Sequence, residues 1–307
     1  MKLAALSLAT LFAGLSLAAC APDADFDSLE SAGDQTADIS ATSRTFVALR
    51  HDYRKCMSPM CGGYFVHDVN RKHLNEKYVS GLDFANAGLD QATIDQVTSA
   101  PDGEVVLYGK LGPIDATFGT RTFLVFEAYR GMPGAAPASG DLFYSVTDHQ
   151  LQCFAAPCNS LEAEKLNSTS SKMFTGIDAE IGTNVSADWL AHRAATGGAL
   201  VAGSLQNGQT FPAGTEKLLV ASQVFLHLPE AAGPCPKSPE PLCEDGTVGT
   251  YVYTADRCTV FDTCATAGAC IALAPTCDEG YAIVSWPSQP FGCSAYTCEP
   301  AFLHPEL

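Results

Sequence analysis

The sequence predicts an α+β protein. Two tandem, pseudo-symmetric repeats of mostly antiparallel strands, with one helix each, precede a small disulfide-rich C-terminal module. Three observations carry this. The stretch Thr45–Asn70 holds an apolar run, a C-x4-C clip at Cys56 and Cys61 and a second alternating run, and Leu142–Asn167 repeats the plan with Cys153 and Cys158. Each copy then has one short segment of helical spacing among segments of strand period. From Gly233 onward the composition turns to Cys, Pro and small residues, and a second, cysteine-based repeat appears.

The duplication sets which elements correspond. Phe46 falls on Phe143, Leu49 on Val146, Cys56 on Cys153, Cys61 on Cys158 and Asn70 on Asn167. Farther on, Lys77-Tyr78-Val79-Ser80-Gly81-Leu82-Asp83 falls on Lys172-Met173-Phe174-Thr175-Gly176-Ile177-Asp178, and Gly119-Thr120 on Gly214-Thr215. Units that repeat in this way bury their apolar faces against each other. Within a copy, Phe46–Leu49 and Phe143–Val146 are expected strands. Tyr64, Val66 and Val69, and in the second copy Leu161–Leu166, continue after the clips. Ile94 with Val97, and Trp189 with Leu190 and Ala194, have helical spacing. Asp90 and Ser186 stand as N-caps, and Pro101 and Gly197-Gly198 stop the helices. Val105–Leu107 with Phe123–Tyr129, and Ala199–Val201 with Leu218–Leu228, are β-rich runs that close each unit. The Gly/Pro/Ala run Gly131–Gly140 joins the copies.

In the C-terminal module Cys235, Cys243, Cys258 and Cys264 align with Cys270, Cys277, Cys293 and Cys298, and Glu244-Asp245-Gly246 with Asp278-Glu279-Gly280. Units this small bury too little apolar surface to fold unaided, so cross-links hold them. Two disulfides inside each unit is the preferred pairing. The clips read as local bridges, with Cys56–Cys153 and Cys61–Cys158 bridges across the pseudo-dyad left open.

The amino terminus has a basic start at Lys2, an apolar stretch Leu3–Leu17 and small residues before Cys20. It is too short and wrongly flanked for a membrane span. Leu17-Ala18-Ala19-Cys20 resembles the lipobox of a bacterial lipoprotein signal peptide. The resemblance implies cleavage before Cys20, acylation of Cys20 by chains such as palmitate, and a lipid-anchored place in the cell envelope. Ala21 after the cysteine favours the outer membrane over the inner one. Thirteen cysteines less Cys20 leave an even number, as an oxidised exported protein requires. The expected segments are a signal peptide at 1–19, a lipidated acidic disordered tether at 20–44, repeats at 45–139 and 140–232, the cysteine-rich module at 233–300 and a tail at 301–307.

Cys56–Cys61 followed by Gly62-Gly63-Tyr64-Phe65-Val66 and Val69-Asn70 resembles a bacterial domain of unknown function found in lipoproteins, over residues 45–229. Relatives carry a further cysteine pair after that Asn, and Arg71–Asp83 here has none. The resemblance implies no activity and no catalytic residue.

Chemistry is then a matter of elimination. A formal charge of −17 excludes nucleic acid as a partner, because no basic stripe exists to replace counterions. There is no G-x-S-x-G and no H-E-x-x-H motif. The clips have the thiol spacing of half a zinc site, but an oxidising setting favours disulfides. His51-Asp52, His67-Asp68, His73 and Asp148-His149 are the residues from which a metal or acid–base site would be drawn. The acidic pairs beside Gly246 and Gly280 read as turns rather than calcium loops. Tyr251, Tyr253, Trp286, Phe291 and Tyr296 supply either a recognition face or the module's own core.

The expectation is a lipid-anchored envelope protein acting as a non-enzymatic binding or structural module, without cofactor or metal. Its partners would be the membrane and another envelope or extracellular protein. A protease inhibitor working through the cysteine repeats is the alternative, and a metal-dependent envelope enzyme the third reading.

Overall fold

The computed structural model describes residues 39–71, 76–230, 235–236, 242–270 and 273–304. The first copy runs through β1 (Thr45–His51), β2 (Tyr64–Asp68), β3 (Lys77–Val79), β4 (Gly81–Asp83), α1 (Gln91–Thr98) and a long hairpin of β5 (Val105–Ile114) and β6 (Arg121–Gly131). The second copy repeats the order with β7 (Leu142–Asp148), β8 (Leu161–Lys165), β9 (Ser171–Phe174), β10 (Gly176–Asp178), α2 (Ala187–Ala195), β11 (Ala199–Phe211) and β12 (Gly214–Leu228). Asp90 and Ser186 cap the two helices, accepting from the N–H of Thr93 at 2.8 Å and of Trp189 at 3.2 Å.

Each copy closes on itself. β1 pairs antiparallel with β2 and β5, β5 with β6, and β2 with β3. The chain bends at Ser80, and β4 then pairs parallel with Thr122–Leu124 in the first half of β6. The circuit β1–β2–β3/β4–β6–β5, with a helix between its third and fourth strands and one parallel pair, has the connectivity of an OB-type barrel. In the second copy β10 closes against Leu218–Val220 of β12 in the same way.

The far halves of β6 and β12 pair with each other, Ala128–Gly131 against Phe225–Leu228. A single 12-stranded sheet therefore passes through both copies. This corrects the α+β expectation: the protein is mostly antiparallel sheet, and its helices, of 8 and 9 residues, pack on the barrel cores without forming a layer. The reason is strand length. The β run read at Val105–Leu107 extends to Ile114, and β12 spans 15 residues. A strand that long has edge enough for its own barrel and for its twin.

The first barrel is filled by Val47, Leu49, Val66, Leu107, Phe123 and Val97 of α1, and the second by Val146, Phe174, Val201, Leu219 and Leu190 of α2. A third cluster, with Ala48, Val106 and Tyr129 from one copy and Leu200, Ala202 and Phe225 from the other, seals the pseudo-dyad. Around it, Asn167 accepts from the Phe46 N–H at 2.8 Å and donates to the Phe46 carbonyl at 2.7 Å. Asn70 does the same for Phe143, both at 2.7 Å.

The C-terminal module consists of two ribbons, β13 (Thr247–Tyr253) with β14 (Thr259–Thr266) and β15 (Tyr281–Ser288) with β16 (Cys293–Pro300). Cys235–Cys258 and Cys243–Cys264 tie the first, Cys270–Cys293 and Cys277–Cys298 the second. The ribbons belong to the same compact unit as the barrels. Phe302 packs against both barrel cores and Tyr281 against the second, and the Cys298 N–H donates to the Asn184 carbonyl at 2.9 Å. Glu299, 1% exposed, joins the two ribbons, accepting from Arg257 Nε at 2.8 Å and from the Tyr253 hydroxyl.

A candidate binding face on the first barrel

Alternate residues of β1, β2 and β3 face away from the barrel core. The register sets Arg50 beside Phe65 and Phe65 beside Tyr78, whereas Leu49, Val66 and Val79 point inward. The outward row is a cation–aromatic platform. The Arg50 guanidinium lies 4.4 Å from the Phe65 ring centroid, and that of Arg54 lies 5.1 Å from Phe65 and 5.3 Å from Tyr78. The two rings meet edge to face at 5.7 Å. Glu76 fixes Arg50 through contacts of 2.6 and 3.2 Å and is held below the usual carboxylate range by them.

The first clip stands at the edge of this platform. The Asp52 carboxylate receives Arg54 Nε at 2.8 Å, Arg54 N at 3.0 Å and Gly62 N at 3.2 Å, and the Arg54 bonds hold its carboxyl down to about 2. Gly63 passes so close to β3 that a Cβ there would lie 2.2 Å from the Val79 carbonyl, which no side chain tolerates. The Tyr78 hydroxyl donates to the Pro59 carbonyl at 2.7 Å. On this fixed loop Tyr53 is 74%, Met57 82% and Met60 62% exposed. Beyond β3 lies an open cavity of about 530 Å³, lined by Ile39, Ser40, Lys77, Tyr78, Thr120 and Arg121 among others.

The same face of the second barrel differs in chemistry. Glu162 pairs with Met173 and Glu164 with Ser171, and His149 Nε2 lies 2.8 Å from Glu162. Its clip exposes Leu151 and Phe154.

The structure disperses the residues singled out for metal or acid–base chemistry. His51 is fixed to the end of α1, with Nδ1 2.9 Å from Asp102 and Nε2 2.8 Å from the Thr98 carbonyl. Asp52 and Asp68 engage Arg54 and Arg71. Burial pushes His67 below its ordinary value. Asp148 caps Gln150 N at 2.8 Å, and four strands lie between its strand β7 and β1 in the sheet. No group of three or more His, Cys, Asp or Glu able to hold a metal occurs among the described residues. The clip sulfurs are paired as Cys56–Cys61 and Cys153–Cys158, so neither clip offers thiolates. Cys20 and His73 lie outside the described residues.

In the C-terminal module the aromatics serve each other, Tyr251 against Phe261 and Tyr253 stacked on Trp286 at 4.8 Å. Asp278 receives the Thr183 N–H at 3.0 Å and so helps dock the module. The platform residues Arg50, Arg54, Phe65 and Tyr78 were not singled out in the sequence. Their signal is present there, as cations and aromatics at the outward positions of strands whose inward positions are Leu and Val.

Residues 45–231 match the model of a family described as Domain of unknown function (DUF6748). An uncharacterized protein of Dictyostelium discoideum is 28% identical over 259 residues, covering 81% of this chain and 85% of its own length. No solved structure matches. The expected identity as a bacterial lipoprotein is thereby overturned. The curated relative is eukaryotic, and the family description names neither bacteria nor lipoproteins.

Proposed function

We propose that this chain, which belongs to the DUF6748 family across residues 45–231, is an exported, non-enzymatic binding module whose contact surface is the first barrel's outer face and clip. One observation carries the reading. Met57 and Met60, inside the loop closed by Cys56–Cys61, and Tyr53 just before it are exposed beside the Arg50, Arg54, Phe65 and Tyr78 platform. Clustered exposed apolar side chains mark interaction sites, and a loop fixed in advance loses little entropy on binding. The six disulfides support an oxidising, extracellular setting.

The test is retention of purified, labelled protein on the surface of its source cells. The triple variant Tyr53→Ser, Met57→Ser and Met60→Ser should keep the parent's circular dichroism and Tm yet bind at least tenfold more weakly. Equal retention of parent and variant would refute the reading. Attachment to a membrane through an acylated Cys20 is the finer part of the proposal and rests on Leu17-Ala18-Ala19-Cys20 alone. Cys20→Ser should move the protein from the membrane to the soluble fraction, and continued membrane recovery after a carbonate wash would argue against the anchor.

A further inference from the structure

We propose that the platform and the adjoining cavity form one site for a short oligosaccharide bearing carboxylates. This deepens, and rests on, the assignment of the first barrel's outer face as the binding surface. Tyr78 joins the two parts, since its ring neighbours Arg54 and also lines the cavity. The cavity's volume of about 530 Å³ falls within the range of about 300–1,000 Å³ common for small-ligand sites.

Four cations lie on the platform and the cavity wall of a chain with only 17 Lys and Arg against 34 Asp and Glu, and two of them, Arg50 and Arg54, are already paired with Glu76 and Asp52. Arg50 and Arg54 stack on the aromatic rings. Lys77 Nζ donates to the Ile39 carbonyl at 2.7 Å from the cavity wall. Arg121 gives one Nη1–H to the Gly112 carbonyl at 3.2 Å and has no carboxylate partner among the described residues. A guanidinium so placed keeps donors for a planar carboxylate. Thr120 lines the same wall and carries a hydroxyl suited to the hydroxyl groups of a sugar, whereas the Ser40 hydroxyl is taken up by Thr42 and Ser43. Phe65 and Tyr78, edge to face, offer apolar surface for the C–H face of a sugar ring.

The charge of the whole chain limits the ligand's length. A net charge of −17 repels a long polyanion, but at physiological salt that repulsion is screened beyond about 8 Å. A ligand with a few carboxylates gains Arg121, and the acids it meets nearby, Asp52 and Glu76, are already held by Arg54 and Arg50. The second barrel, with Thr147, Glu162 and Met173 where Arg50, Phe65 and Tyr78 stand and Glu216 where Arg121 stands, is unsuited to the same ligand.

The full chain should be titrated calorimetrically with three probes. These are a galacturonic acid tetrasaccharide, the same tetrasaccharide carboxyl-reduced to galactose, and an Asp/Glu peptide of equal charge. The acidic tetrasaccharide should bind at least tenfold more tightly than either of the others and weaken severalfold between 50 and 500 mM salt. Arg121→Gln should remove at least tenfold of that preference while leaving the weak binding of the neutral sugar unchanged. Arg121→Lys serves as the second variant: it keeps the charge but loses the planar fork, so it should retain the salt dependence while losing severalfold of the preference. Equal binding of acidic and neutral sugars, tighter binding of the peptide, or no binding by any probe would overturn the proposal. If cell-surface retention still depends on Tyr53, Met57 and Met60 in that event, the binding face stands and only its ligand class falls.

Discussion

Asn70 holds φ at 64°, a left-handed conformation, and its amide does for Phe143 what a neighbouring strand would do. Asn167, at φ 58°, repeats this for Phe46. Asn70→Ala leaves the Phe143 N–H without its partner, while the Phe143 carbonyl keeps the Leu166 N–H at 3.0 Å. A urea-midpoint measurement should register a loss of about 1–3 kcal/mol, the cost of one unsatisfied buried donor. Asn70→Gly separates the two causes. It relieves the backbone but not the lost bonds, so it should destabilise nearly as much; recovery of parent stability would mean that the φ angle alone matters. The recurrence of this Asn in both copies was legible in the sequence. Its purpose was not, because the partner strand comes from the other copy.

His67 and His227 are both pushed below their ordinary values, chiefly by burial. The folded state therefore holds fewer protons than the unfolded chain once pH falls through about 6.5. Stability should decline as pH drops from 7.5 to 5.5, above the range in which most carboxylates titrate. A flat urea midpoint across that window would contradict the neutral burial of these rings. His67→Gln with His227→Gln should reduce the slope.

Among the elements, β6 and β12 show best what the sequence concealed. Their apolar periodicity marks them as strands, but no periodicity tells that the first half of a strand closes one barrel and the second half joins two. The helix caps were readable because Asp90 and Ser186 act within one turn of themselves. The sequence reading treated the C-terminal ribbons as a separate module and 301–307 as a plain tail, yet Phe302 packs against both barrel cores. Glu299→Ala should loosen the joint between the two ribbons, since it removes the carboxylate that holds Arg257 and the Tyr253 hydroxyl. Removing one partner of a buried ion pair costs about 3–5 kcal/mol. Calorimetry should show a lower Tm; an unchanged one would mean that this joint between the ribbons contributes nothing. Reduction of the disulfides should likewise lower the Tm of the barrels, because it loosens the scaffold that positions Tyr281 and Phe302. An unaltered barrel transition after complete reduction would count against that coupling.

At the scale of the whole molecule, duplication has produced two barrels with one architecture and two surface chemistries. The architecture was partly legible, since paired motifs and cysteine spacing are local facts. The sheet's continuity and the binding face were not, because both arise from strands brought together over long separations. Arg50, Phe65 and Tyr78 become a row only after β1, β2 and β3 pair in register. The first copy then carries cations over aromatics, and the second carries Thr147, Glu162 and Met173 at the matching places.

Hydrogen exchange read by mass spectrometry, on the full chain with and without source-cell surface material, tests this division of roles most directly. Protection should concentrate in peptides spanning Tyr53–Phe65 and Lys77–Ser80, with the second barrel's Asp148–Phe174 and the ribbons unchanged. Protection confined to the second barrel or to the ribbons would contradict the placement of the binding face on the first barrel.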